Sequence, residues 1–170
     1  ILFPIIVDKL NNDMVEVVTM KASAGYLTGY ADPEYIEKLP LMNLPFKTIG
    51  KHRAFPIQGD SMPPLKNGCY VIGKYIESIH DIENGTTYII ITKDEGVVYK
   101  RIFKKGKQLE LHSDNKNYSP YLIKMSDVVE IWKFVCTLNN SDKKDEEVNM
   151  DSIMGILQRM QTDIEGMKKS

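Results

Sequence analysis

From Phe3 to Leu138 the chain is a succession of short apolar runs broken by turn residues, with almost no helical period. That rhythm restricts it to an all-β domain of the barrel or sandwich type. Phe3 to Asp8 and Met14 to Met20 read as strands around the Asn11-Asn12-Asp13 turn. Arg53 to Gln58 reads as a third, and Cys69 to Tyr75 follows an Asn67-Gly68 turn signal. Thr87 to Thr92 and Val97 to Phe103 form a predicted hairpin, Gln108 to His112 pairs back across Lys104-Lys105-Gly106, and Val128 to Leu138 is the last and longest strand. Tyr26 to Phe46 breaks the rhythm with Pro33, Pro40 and Pro45. Asp32 can cap a short helix there with Pro33 at its first position, so a loop carrying one or two helical turns is expected.

After Leu138 the pattern changes. Residues 139–148 are polar and charged and read as a linker. In 149–170, Met150, Ile153, Leu157, Met160, Ile164 and Met167 recur at spacings of three and four, the a/d seam of an amphipathic C-terminal helix. Its apolar stripe suits either self-association or folding back on the domain, and Gly155 and Gly166 weaken it. The organisation expected is a β domain over 1–138, a linker and a helix.

Composition narrows the function classes. Lys and Arg total 22 against 23 Asp and Glu, a net charge of −1, whereas a stand-alone nucleic-acid binder usually carries a basic excess. Cys69 and Cys136 sit in apolar runs and read as thiols of a reducing, cytoplasmic compartment. His52, His80 and His112 are isolated, so no metal or other cofactor is expected. The apolar start lacks the flanks of a signal peptide, no stretch approaches a membrane span, and the absent initiator Met suggests a fragment with something removed upstream.

Chemistry is concentrated in Phe55-Pro56-Ile57-Gln58-Gly59-Asp60-Ser61-Met62-Pro63-Pro64. A strand runs into Gly59, and Ser61 then arrives in a proline-stiffened turn. Such a turn exposes a hydroxyl and the backbone amides of Asp60, Ser61 and Met62, which can hold a developing oxyanion. By itself a Gly-Asp-Ser turn is usually only a turn. A serine nucleophile needs a base, and no His stands in a suggestive setting. In Val97-Val98-Tyr99-Lys100-Arg101-Ile102-Phe103, alternation puts Val98, Lys100 and Ile102 on one face. A lysine between two β-branched apolar residues on a core face loses hydration, and its neutral amine can take a proton from serine. The same residue on an edge strand would snorkel to water.

Gly59-Asp60-Ser61-Met62, followed by Lys100 within Val98-Tyr99-Lys100-Arg101, resembles the self-cleaving serine–lysine peptidases of the LexA, phage repressor and UmuD family. Asn67-Gly68-Cys69-Tyr70-Val71-Ile72 is similar to the strand after that family's serine turn, and the resemblance runs from about Met14 to Leu138. Tyr99 stands where the family more often has an aliphatic residue. The Tyr26 to Phe46 segment is closer to a phage-type and Bacteroidetes-type branch.

The resemblance implies a mainly β, LexA/signal-peptidase-like domain of β-ribbon barrel type, here with an added C-terminal helix. It implies Ser61 as nucleophile and Lys100 as general base. It also implies a self-cleavage loop over about 21–46, cut at Ala24–Gly25 within Lys21-Ala22-Ser23-Ala24-Gly25-Tyr26. Without the serine–lysine pair those small residues would read as a flexible bend. As partners it implies a second copy of the chain, a RecA–single-stranded DNA filament as co-activator in an SOS response, and operator DNA reached only through an upstream helix-turn-helix domain. The function expected is the dimerising, regulatory half of a transcription repressor. A non-cleaving dimerisation or sensing module and a UmuD-like polymerase accessory protein are the alternatives. A signal peptidase shares the serine–lysine logic but needs a membrane anchor.

Overall fold

The computed structural model describes residues 5–8, 13–19, 25–29 and 32–139. The expected linker and C-terminal helix therefore lie outside the described residues, apart from Asn139. The described part is mainly β, as the rhythm of apolar runs requires.

Nine strands form one mixed sheet among the described residues: β1 (Val15–Val17), β2 (Leu41–Met42), β3 (His52–Pro56), β4 (Tyr70–Tyr75), β5 (Thr86–Thr92), β6 (Gly96–Lys105), β7 (Gln108–His112), β8 (Tyr121–Lys124) and β9 (Val128–Leu138). Their spatial order is β2-β1-β3-β4-β9-β5-β6-β7-β8. Two short helices, α1 (Tyr26–Gly29) and α2 (Pro33–Glu37), fill the proline-bearing segment. Asp32 caps α2 as expected, its carboxylate accepting from the Glu34 amide at 3.0 Å, with Pro33 in the first turn.

One expectation fails. The hairpin around Asn11-Asn12-Asp13 is reduced, among the described residues, to a bridge between Val7 and Asp13, and the second strand shrinks to Val15–Val17. The reason is that β1 uses both its edges elsewhere, antiparallel to β2 and parallel to β3. No edge along 15–17 is left for the upstream segment.

Both faces of the central strand β5 are covered. Tyr88 and Ile90 join one core cluster with Ile102, Leu109, Leu111 and Ile131; Ile89 and Ile91 join another with Phe55, Tyr99 and Trp132. Alternation alone produces this split, since successive side chains leave opposite faces. Where β4 meets β9, the register shifts between Ile72 and Gly73. A Cβ built on Gly73 would stand 2.5 Å from the Trp132 Cβ and 2.8 Å from the Ile89 Cδ1. Gly73→Ala should therefore lower stability by about 1–3 kcal/mol, the usual cost of overpacking a core. An unchanged urea midpoint would show that the two strands part without penalty.

The parallel register of β1 and β3 also sets Glu16 beside Arg53. Arg53 is wholly buried, with its Nε donating to the Glu16 carboxylate at 2.7 Å and its Nη1 donating to the Tyr26 hydroxyl. Lys51 pairs with Glu16 as well, and Tyr26 donates to Glu130 at 2.7 Å. Trp132 Nε1 donates to the same Glu130 oxygen at 2.9 Å. Through Tyr26, the helix that begins one residue after Gly25 is tied into a buried ionic cluster.

Cys69 is buried and Cys136 half-buried; both are free thiols, and burial pushes the Cys136 thiol up. No group of His, Cys, Asp and Glu among the described residues could hold a metal ion, and no helix among them is long and apolar enough to cross a membrane.

Candidate active site

Strand β3 ends at Pro56, and the chain then turns sharply. Gly59 takes φ +80°, a conformation that L side chains rarely adopt, and this throws Ser61 out beyond the end of the sheet. Met62 anchors the far side of the turn in the core, 3% exposed, and a cis Pro63–Pro64 peptide follows. The Asp60, Ser61 and Met62 amides, the expected oxyanion donors, give hydrogen bonds to no acceptor among the described residues.

Lys100 lies midway along β6, opposite Tyr88 of β5. Its neighbours on the same face, Val98 and Ile102, pack into the core cluster of Ile90 and Leu111, so the core-side placement expected from alternation holds. Lys100 is 9% exposed. Burial pulls its amine below the ordinary lysine range, while Glu95 in the β5–β6 turn pulls it partly back up.

Ser61 and Lys100 line one cleft of about 520 Å³, together with Pro56, Ile57, Gln58 and residues 94–99. Leu27 of α1 lines it too. That residue lies two positions after Gly25, so the segment following the expected scissile bond reaches the cleft. Gly25 itself is half-buried, and its carbonyl accepts from the Thr28 and Gly29 amides at 3.2 and 3.0 Å. Ala24 lies outside the described residues.

The Lys100 Nζ donates to Ser113 Oγ at 3.0 Å. Sequence reasoning missed Ser113. It follows β7 directly and has no local signature; only the β6–β7 register, which sets Arg101 against His112, carries the chain past Lys100 at that point. The loop it opens also grips the serine turn. Asn115 donates its amide to the Ser61 carbonyl at 3.1 Å and its side chain to the Asp60 carbonyl at 3.2 Å. Tyr118 donates to the Asp60 carboxylate at 2.5 Å, and the Asp114 amide meets the Met62 sulfur at 3.3 Å. A bidentate Arg101–Asp114 pair, at 2.9 and 2.8 Å, fastens the loop to β6.

The model of the Peptidase S24-like family matches residues 16–136. The chain belongs to that family. No curated protein matches it. The matched span begins in β1 and ends in β9, so it takes in the serine turn, the lysine strand and the loop that joins them. Membership makes this an S24 domain of the serine-peptidase kind to which LexA and UmuD belong, the family that the Gly59-Asp60-Ser61-Met62 and Lys100 motifs suggested.

Proposed function

We propose that this S24 domain cuts its own chain between Ala24 and Gly25, using Ser61 as nucleophile and Lys100 as general base, and that it serves as the dimerising regulatory half of a transcription repressor. The observation that carries the reading is the shared cleft: Ser61, Lys100 and Leu27 all line it, and Leu27 lies just past the proposed scissile bond. Family membership supplies the reaction class.

In this mechanism the neutral Lys100 amine takes the Ser61 proton as Oγ attacks the Ala24 carbonyl carbon. Amides of Asp60, Ser61 and Met62 hold the oxyanion. Collapse breaks the Ala24–Gly25 bond, and the Lys100 ammonium gives its proton to the leaving Gly25 amine. Water, deprotonated by the same lysine, then attacks the acyl-serine; the ester C–O bond breaks, the Lys100 ammonium returns its proton to Ser61 Oγ, and a chain ending in the Ala24 carboxylate is released. Because substrate and catalyst are one molecule, most of the entropy of bringing them together is already spent. Regulation is then a matter of how often the loop presents its bond. A RecA–single-stranded DNA filament is the proposed co-activator, and operator DNA is contacted by a helix-turn-helix domain upstream of this chain.

The sign of the pH dependence follows from Lys100. Only its neutral form is a base, and burial lowers its pKa. The cleavage rate should rise with pH and level off below the pH at which an exposed lysine titrates. Intact-mass measurement after incubation at about pH 7 and about pH 10 checks this: fragments 1–24 and 25–170 are expected, formed faster at the higher pH. An uncut chain at both would leave the second reading, a non-cleaving dimerisation or sensing module.

A further inference from the structure

We propose that Ser113 is a positioning residue for the lysine base: its hydroxyl holds the Lys100 amine at the mouth of the serine turn and stabilises the ammonium that forms when Ser61 gives up its proton. The inference rests on the self-cleavage reading and deepens it.

A neutral lysine amine on a four-carbon stem can turn its lone pair in many directions. Accepting one of its N–H bonds at 3.0 Å removes much of that freedom. When the amine becomes an ammonium, the same contact turns into a charge-assisted hydrogen bond in a desolvated site, about twice as strong as a neutral one. Ser113 is thus worth more to the charged intermediate than to the resting base, which is the requirement for accelerating a step. It also belongs to the loop that holds the Ser61 carbonyl and the Asp60 carboxylate. One segment therefore contacts both the lysine amine and the serine turn.

Asp94 and Glu95 line the same cleft as Lys100. Glu95, in the β5–β6 turn, raises the proton affinity of Lys100 and is itself bound by the Tyr121 hydroxyl at 2.6 Å. The Tyr118 ring lies 5.8 Å from Nζ, with its hydroxyl on Asp60. Tyr88, opposite on β5, turns its hydroxyl to the Glu83 amide at 2.8 Å. Arg101 and Asp114 are paired with each other, and His112 meets Glu110 at 3.0 Å. Glu95, Ser113 and the face of the Tyr118 ring favour the ammonium.

Removing the hydroxyl should move the Lys100 titration midpoint to lower pH and lower the alkaline plateau of the cleavage rate by roughly tenfold to a hundredfold. The experiment compares wild type, Ser113→Ala and Ser113→Thr by cleavage rate across pH. In a parallel uncut Ser61→Ala background, lysine-labelled NMR follows the Lys100 midpoint directly. Expected are a lower plateau and a lower midpoint in Ser113→Ala, with both recovered in Ser113→Thr. A rate loss without a midpoint shift would mark Ser113 as structural and overturn the assignment; so would an unmoved midpoint at full rate. If the wild-type chain does not cut, the cleavage reading fails, and the NMR midpoint still decides whether Ser113 sets the lysine.

Discussion

Lys100→Arg should leave the chain whole at every pH. Arginine keeps a positive charge on the same strand of the same cleft, but its guanidinium does not deprotonate in a protein, so it can never act as the base. Lys100→Ala and Ser61→Ala should be equally inert, with cleavage down about ten-thousandfold or more, because members of a catalytic set act as a unit. Ser61 is half-buried in a surface turn, and Lys100→Arg keeps an aliphatic stem on the buried face, so Ser61→Ala and Lys100→Arg leave the core packing in place, whereas Lys100→Ala deletes a buried stem. Unchanged urea midpoints alongside lost cleavage separate chemistry from folding. Residual cutting by Lys100→Arg at the wild-type rate would exclude lysine as the base.

The second large effect concerns stability. Arg53→Met should cost about 3–5 kcal/mol, the usual result of removing one partner from a buried ion pair. The guanidinium donates from Nε to Glu16 at 2.7 Å, its Nη2 lies 2.6 Å from the same carboxylate oxygen and its Nη1 3.7 Å from Glu130, all three residues being at most 2% exposed. Lys51 still faces Glu16 in the variant, but Glu130 keeps only neutral donors, Tyr26 and Trp132. Burial already lifts the Glu130 carboxyl above its ordinary range, and Arg53 opposes that rise. Its loss lifts the carboxyl further. A group with a raised folded pKa stabilises below its unfolded value and loses that contribution as pH rises through the folded value. The deficit of Arg53→Met should therefore be larger at about pH 7 than at about pH 5. Urea unfolding at both values measures it, and an equal deficit at the two would contradict the account. The variant also removes the Arg53 donor to the Tyr26 hydroxyl, which still donates to Glu130 and anchors the segment after Gly25, so loop presentation and core stability share one cluster.

Much of the fold was legible because β structure writes itself locally. Alternation assigned Val98, Lys100 and Ile102 to one face of β6, and the turn signals at Asn67-Gly68 and Lys93 to Gly96 marked the ends of β4, β5 and β6 correctly. The Asp32–Pro33 start of α2 was equally plain, since a cap and a first-turn proline act within one turn. Strands β2 and β8, two and four residues long, are too short to show a period.

What the amino-acid order determined alone was the strand rhythm, the glycine that lets the serine turn form, and the face on which the lysine stands. These are properties of neighbours along the chain. Tertiary structure alone decided that Glu16, Arg53, Glu130 and Tyr26 are buried together. In sequence the three charged residues look like ordinary solvent-face positions, and only the parallel β1–β3 register and the covering of both sheet faces enclose them. It alone also brought Ser113 to Lys100 and Asn115 to Ser61, because hydrogen bonds between segments far apart in the chain depend on register, and register leaves no mark in either segment alone.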